Sequence, residues 1–266
     1  MTDSPISLDI ADGVASIGLN RPADGNAIDL QLARALVDVV AEVASIPDLG
    51  AVVLFGEGEG FCVGGDLKSF ASAAVPGAFL AELADTAHQA ILGLRSLRPP
   101  VISAVHGACA GGGLGFAFAA DVVLADRDTR FRVAYTAAGL SPDCGVSWTL
   151  TRVIGAARAN ELILTNRVFD AVEAERIGLV SRVVDPGAVR SAATTLARSL
   201  AGGPRQALAA SADLVRQAVS TSLEQHLKNE ADSIASLIDT PDGAEGVAAF
   251  LEKRRPQFGR PPGRAK

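Results

Sequence analysis

The stretch PPVISAVHGACAGGGLG, residues 99–115, decides the fold. Its run VISAV at 101–105, apolar except for Ser103, predicts a buried β-strand, and residues 112–120 predict a helix of small side chains, with glycines between them. A second stretch has the same order, because the β-branched run 51–55 leads into the glycine-rich segment GFCVGGDLK, residues 60–68. Each stretch therefore predicts a strand, a glycine-rich loop and a helix in succession.

The same alternation extends outward over most of the chain. Further strands are predicted at residues 14–19, 122–125 and 179–184, and further amphipathic helices at residues 30–45 and 79–94. From residue 185 onward the pattern is helical only. We therefore expect an α/β core over residues 1–200 and a helical region over residues 201–266.

Composition limits the kinds of partner and compartment. The 266 residues are 48% hydrophobic and 20% charged, which is typical of a soluble globular protein, and no apolar run is long enough to cross a bilayer. The net charge of −6 argues against a nucleic-acid or membrane partner. The three cysteines follow no pattern and the N-terminus lacks a secretory signal, so we expect a cytoplasmic protein.

The two glycine-rich loops expose backbone N–H groups where a ligand oxygen can approach closely. Taken singly, each loop is also explained by tight turns or close helix packing. Phosphate binding is disfavoured, because Asp66 stands where a phosphate-binding loop needs lysine and Phe116 and Ala117 stand where a dinucleotide motif needs a spaced glycine. Together the loops predict a pair of backbone donors for an oxyanion.

Five stretches in this order resemble the crotonase superfamily, also called the enoyl-CoA hydratase/isomerase family. They are LNRPADGNAID at 19–29, GFCVGGDLK at 60–68, PPVISAVHGACAGGGLG at 99–115, AERIGLVSRVV at 174–184 and FLEKRRPQF at 250–258. The resemblance implies a spiral of ββα turns with a helical C-terminal trimerisation region. It also implies a homotrimer or a dimer of trimers.

The resemblance further implies an acyl-CoA substrate whose thioester carbonyl lies between the amides of Gly65 and Gly112. Coenzyme A would enter as part of the substrate, with no separate cofactor. The remaining substrate and coenzyme A contacts implied by motif position are Arg21, Ala23, Val63, Gly64, Asp66, Leu67, Lys68, Tyr135 and Phe258.

The family's hydratases carry two glutamates, and by motif position these fall here on Gly115 and Tyr135. Hydration needs a base for water and a proton for the α-carbon, so their loss disfavours it. The segment LSPD, ending at Asp143, is similar to the isomerase branch that includes epoxyphenylacetyl-CoA isomerase. We therefore predict an enoyl-CoA isomerase in which Asp143 is the acid/base.

Several alternatives stay open at the level of sequence. Asp143 or Ser141 is also suited to cap a helix that runs to Ile154. Cys144 with His106 would suit thioester hydrolysis, and hydration with another base is a further option on the same fold. A non-catalytic protein that binds CoA thioesters or RNA is the alternative of another class. The histidines show no ligand spacing, so no metal is expected.

Overall fold

A six-stranded sheet forms the centre of the molecule in the computed structural model, which describes residues 4–259. Its strands, in spatial order, are β1 (Ile6–Ala11), β2 (Val14–Leu19), β3 (Ala51–Gly56), β4 (Val101–Val105), β6 (Val122–Asp126) and β9 (Arg182–Val184). The pair β1 and β2 is antiparallel, and every later pair is parallel. A parallel sheet of this kind requires crossover connections, and helices supply them.

Ten α-helices accompany the strands in the described part of the chain. They are α1 (Leu30–Ser45), α2 (Leu67–Ser72), α3 (Pro76–Ser96), α4 (Gly112–Phe118), α5 (Val146–Thr165), α6 (Ala171–Arg176), α7 (Val189–Ala201), α8 (Arg205–Ala218), α9 (Leu223–Ile238) and α10 (Pro241–Leu251). Short 3₁₀ turns lie at Pro22–Asp24 and Thr136–Ala138. Within residues 4–259, every helix is too short or too polar to span a bilayer.

The central strand β3 is buried on both faces. Val52 and Leu54 belong to the larger core beneath helices α1 and α3, whereas Val53 and Phe55 belong to the smaller core beneath α7. Successive side chains of a strand point to opposite faces, so an unbroken apolar run is the pattern expected of a strand covered on both sides.

Helix α7 packs closely on the sheet because its inward residues are small. Ala193, Ala197 and Ala201 are buried in the smaller core. A Cβ on Gly50, just before β3, would lie 2.4 Å from Cα of Ala201. The close approach therefore depends on glycine at one side of the contact and alanine at the other.

A second, three-stranded sheet was not expected from the sequence. It consists of β5 (Ala108–Ala110), β7 (Arg130–Arg132) and β8 (Val168–Asp170), with β7 between the other two. Each strand has three residues, which is too short for an alternating pattern to be recognised. Strand β1 was also missed, and β9 begins at Arg182 rather than at residue 179.

The prediction of a purely helical C-terminal part is confirmed for residues 185–259, which contain α7 to α10. Helix α7 belongs to the sheet's smaller core, whereas α9 has no buried residue. The proposed division after residue 200 falls one residue before the end of α7 and stays a prediction.

Candidate active site

A cavity of about 400 Å³ lies between the two glycine-rich loops, helix α3 and the loop that precedes α5. Most of its lining is apolar, with Ile28, Phe70, Leu80 and Leu83 among the contributing side chains. The titratable side chains of the lining are Tyr135, Asp143 and Cys144, all from the segment between β7 and α5. An apolar pocket with a few convergent polar groups is the usual form of a small-molecule site.

The two glycine-rich loops meet at this cavity, as their common position after buried strands predicts. A Cβ on Gly64 would lie 3.3 Å from the amide nitrogen of Gly112. Gly112 is the first residue of α4, so its N–H has no acceptor within the helix. Within residues 4–259, neither Gly65 nor Gly112 donates a backbone hydrogen bond, and both residues line the cavity.

A buried asparagine that the sequence analysis missed holds the first loop in place. The Nδ2 atom of Asn26 lies within 3.1 Å of the carbonyl oxygens of Glu57, Gly60 and Phe61. Its Oδ1 accepts a hydrogen bond of 2.8 Å from the amide of Arg21. Asn26 is fully buried, and these contacts satisfy its polar atoms, as buried side chains require.

Arg21 connects this first loop to the start of α2. Its guanidinium contacts the carboxylates of Asp24, Asp29 and Asp66 at 3.1 to 3.2 Å. Partial burial raises the pKa of Asp66, but hydrogen bonds from the Ser69 amide and from Arg21 outweigh it and hold that pKa below its ordinary value. Asp66 also caps α2, so both residues serve the geometry of the loop.

Asp143 is held by a histidine rather than by a helix terminus. Its Oδ1 lies 2.5 Å from Nε2 of His88, on α3, and its Oδ2 lies 3.7 Å from the thiol of Cys144. Helix α5 begins at Val146, and its first turn has no side-chain cap. The expectation that Asp143 or Ser141 caps this helix is therefore wrong, because two left-handed residues, Cys144 and Gly145, intervene.

The first part of that helix ends where the sequence predicts. Helix α5 is interrupted by a kink at Gly155, where φ is +78°, so its first part ends at Ile154 and a second part continues to Thr165. Glycine adopts this left-handed conformation without the steric cost that other residues meet.

Gly115 has no room for any side chain. A Cβ there would lie 2.3 Å from the carbonyl oxygen and 2.6 Å from Cβ of Cys144. The space that a glutamate at this position would need is filled by the backbone that carries Asp143. The absence of the first hydratase glutamate is thus built into the packing of this loop.

Tyr135 lies beside Gly112 at the same cavity. Its hydroxyl is 3.8 Å from the point where a Cβ on Gly112 would stand, and it is buried with no hydrogen-bond partner among residues 4–259. Burial, with the thiol of Cys144 and the carboxylate of Asp143 nearby, raises the pKa of Tyr135 well above its ordinary value. The hydroxyl is therefore a neutral donor at physiological pH.

Asn166 fixes the backbone next to Tyr135 and was also missed. Its Oδ1 accepts a hydrogen bond of 2.6 Å from the amide of Ala134, whose φ is +68°. A non-glycine residue with this φ is strained, and such residues cluster at functional sites. The backbone of Cys144, the residue after Asp143, is strained in the same way, with φ of +52°.

The pair of Cys144 and His106 receives no support. The Nε2 atom of His106 lies 2.9 Å from the carbonyl oxygen of Gly58, whereas the histidine beside Cys144 is His88. Burial and the neighbouring carboxylate raise the pKa of the Cys144 thiol well above its ordinary value. A neutral buried thiol is a poor nucleophile.

His88 is not isolated, contrary to the sequence analysis. Its ring nitrogen, a carboxylate oxygen of Asp143 and the sulfur of Cys144 all lie within 4.8 Å of one another. Such a set offers three ligand atoms, but a thiol must lose its proton to bind a metal, and that of Cys144 is held neutral. That no metal is bound stays a prediction.

The remaining coenzyme A contacts fall into two groups. Val63, Gly64 and Leu67 line the cavity, and the half-exposed side chains of Val63 and Leu67 stand at its mouth. The others lie outside the cavity lining: Arg21, Ala23, Asp66, Lys68 and Phe258. Phe258 packs near Gly246 of α10. Their roles toward coenzyme A stay predictions.

Comparison with known proteins agrees with this arrangement. The family described as enoyl-CoA hydratase/isomerase matches residues 9–261. A probable enoyl-CoA hydratase of Mycobacterium tuberculosis is 38% identical over 97% of this chain and 99% of its own length. The 1,2-epoxyphenylacetyl-CoA isomerase of Escherichia coli is 34% identical over 92% of this chain and 95% of its own.

Comparison with solved structures indicates the same family. The crystal structure of a putative enoyl-CoA hydratase from Streptomyces coelicolor superposes with a TM-score of 0.90 and 37% identity, covering 98% of this chain and 96% of that one. The chain belongs to the enoyl-CoA hydratase/isomerase family and has the crotonase fold.

Proposed function

We propose that this protein is an enoyl-CoA isomerase that moves a double bond along the acyl chain through a thioester enolate. The observation that carries the proposal is that Asp143 is the single carboxylate among the described residues that line the cavity. One carboxylate is sufficient to take a proton from one carbon and return it to another. Hydration requires two functions, because water must be activated while the α-carbon is protonated.

In this mechanism the thioester oxygen accepts hydrogen bonds from the amides of Gly65 and Gly112. Asp143 removes a proton from the acyl chain, and the electron pair of the broken C–H bond delocalises onto the thioester oxygen. Each amide donor is worth about 3–4 kcal/mol once charge develops on that oxygen. The protonated Asp143 then delivers its proton to a different carbon, and the double bond has moved.

Tyr135 is proposed as a third polar contact to the substrate. Leaving a buried donor unpaired costs about 1–3 kcal/mol, and a substrate oxygen beside Gly112 would remove that cost. Binding of an acyl-CoA is therefore favoured, because its oxygen would give the unpaired hydroxyl of Tyr135 a hydrogen-bond partner.

Coenzyme A is proposed to enter as part of the substrate, without a separate cofactor. The acyl group would occupy the apolar cavity, and the half-exposed Val63 and Leu67 would contact the pantetheine arm. Lys68, exposed at the start of α2, is proposed to contact a phosphate of coenzyme A. Its ammonium would supply a local positive charge on a chain whose net charge is −6.

Hydration is the second candidate, because the relative from Mycobacterium tuberculosis is named a probable enoyl-CoA hydratase. In that case Asp143 would have to serve both the water and the α-carbon. The filled space beside Gly115 weighs against a second carboxylate.

A panel of β,γ-enoyl-CoA thioesters of increasing chain length tests the isomerase proposal. Isomerisation brings the double bond into conjugation with the thioester carbonyl, so ultraviolet absorbance rises without any added reagent. We expect this rise for at least one chain length. No rise with any member of the panel, together with loss of absorbance from α,β-enoyl-CoA thioesters, would assign the protein to the hydratases.

A homotrimer or a dimer of trimers is proposed as the working assembly. The region from α8 to α10 exposes large apolar side chains, namely Val215, Val219, Leu223, Leu227, Ile234, Ile238, Val247, Phe250 and Leu251. Exposed apolar patches of this kind mark surfaces that bind other proteins. Light scattering is expected to give three or six times the chain mass, and a stable monomer at micromolar concentration would contradict the proposal.

A further inference from the structure

His88 lies where it can control the geometry of Asp143, although the two residues are 55 positions apart. Helix α3 carries His88 one turn beyond Ala84, on the side of the helix whose residues Ala84 and Ala87 line the cavity. Residues four apart share one face of a helix, so the imidazole extends along the cavity wall toward Asp143.

The contact between the two side chains is short and only partly shielded from solvent. The Nε2 and Oδ1 atoms are 2.5 Å apart, with 43% of the His88 side chain and 33% of the Asp143 side chain exposed. Polar side-chain pairs at such exposure add little to folding stability. A short contact beside a cavity is better explained by its effect on the orientation of the carboxylate.

The two oxygens of Asp143 have unequal partners. Oδ1 has the imidazole, whereas Oδ2 has the thiol of Cys144 at 3.7 Å, which is a weak donor. Oδ2 is therefore the oxygen that remains available to a substrate carbon.

We propose that His88 is the positioning residue of the site: its Nε2–H donates to Oδ1 of Asp143, which fixes the carboxylate so that Oδ2 moves the substrate proton. This inference rests on the proposed isomerase function. His88 itself takes no proton from the substrate in this account. Its effect comes from orientation, and small errors in the position of a reacting group lower rates by large factors.

Two substitutions of His88 distinguish the effect of its hydrogen-bond donor from the effect of its side-chain volume. His88→Gln keeps an N–H donor on a side chain of similar reach and is expected to retain turnover within about threefold. His88→Leu keeps apolar volume without a donor and is expected to lower kcat by about 10- to 100-fold with little change in KM, the factor expected when a charged group loses a hydrogen bond. His226→Leu, on α9, is the matched control and is expected to leave kcat unchanged.

A double-mutant cycle with Asp143→Asn provides a readout that a merely structural role would not move. Because His88 acts through the carboxylate, His88→Leu is expected to have no further effect on the residual activity of Asp143→Asn. Additive losses, or equal losses in the Gln and Leu variants of a folded protein, would overturn the inference. Circular dichroism and thermal melts of each variant identify any that fail to fold.

The same measurements separate this inference from the proposed function. If the wild-type protein isomerises no β,γ-enoyl-CoA, the isomerase proposal fails. If it isomerises its substrate and His88→Leu retains full kcat, the isomerase proposal stands and the role of His88 is wrong.

Discussion

The glycine-rich loops and the loop that carries Asp143 line one cavity but are held in different ways. The glycine-rich loops are fixed mainly through their backbone, by hydrogen bonds such as those from Phe61 to the carbonyl of Ala108 and from Ala110 to the carbonyl of Cys62, and by the side chain of Asn26 bound to backbone carbonyls of the first loop. The Asp143 loop instead turns through two left-handed residues, and its carboxylate is held by the side chain of His88 on helix α3.

This difference has a consequence for how each half of the site can be changed. The two amide donors are part of the packed backbone, so altering them alters the fold. Asp143 and His88 are side chains at a partly exposed edge, so altering them leaves the fold in place. Chemistry can therefore vary within this fold by exchange of side chains over a constant pair of donors.

The largest expected effect is that of Asp143→Asn. The substitution keeps the shape of the side chain and removes its ability to accept a proton. Since a positioned general base contributes a factor of about 10²–10⁴, kcat for isomerisation is expected to fall by that factor with little change in KM. Steady-state kinetics and a thermal melt of the same sample check it, and unchanged turnover would direct attention to Tyr135.

The two halves also differ in how far the sequence could predict them. The glycine-rich loops were predictable, because each lies next to a strand that is almost entirely apolar, with Ser103 as the exception, and the glycines are adjacent in sequence. His88 and Asn166 were not, because each contacts its partner only through tertiary folding. Asn166 lies 32 residues from Ala134, and no local pattern joins them.

The same contrast explains which strands and helix caps were predicted wrongly from the sequence. Strands β3 and β4 were predicted because burial on both faces leaves a clear run of apolar residues. Strand β5 lies inside the glycine-rich stretch itself, at Ala108–Ala110, where three small residues resemble a loop. The interpretation of Asp143 as a helix cap failed because the left-handed turn at Cys144 delays the helix to Val146.

The next largest expected effect is that of Gly115→Ala, which tests the packed backbone of the glycine-rich half of the site. The added Cβ would lie 2.3 Å from the carbonyl oxygen of Cys144, so the backbone has to move. We expect the free energy of unfolding to fall by about 1–3 kcal/mol, as overpacked cores do. Urea unfolding measures it, with Gly77→Ala in α3 as the control, because a Cβ there meets nothing within 4 Å. Equal stability of the two variants would contradict the packing argument.

The smallest expected effect is that of Tyr135→Phe, and it has opposite signs for stability and activity. Removing a buried, unpaired hydroxyl is expected to leave the free energy of unfolding unchanged or to raise it. Losing one hydrogen bond to the substrate is expected to lower kcat/KM about tenfold. Lower stability with unchanged kcat/KM would show that the hydroxyl serves the fold instead.

The central claim is that one carboxylate moves a proton and no water is added. The most direct measurement is the mass of the products formed from one β,γ-enoyl-CoA in water enriched in oxygen-18. The account predicts that the main product has the mass of the substrate, with the double bond conjugated and no oxygen-18 in the acyl group. A main product heavier by one labelled water would contradict it, and so would an unreacted β,γ-enoyl-CoA from a protein that adds labelled water to the α,β-enoyl-CoA.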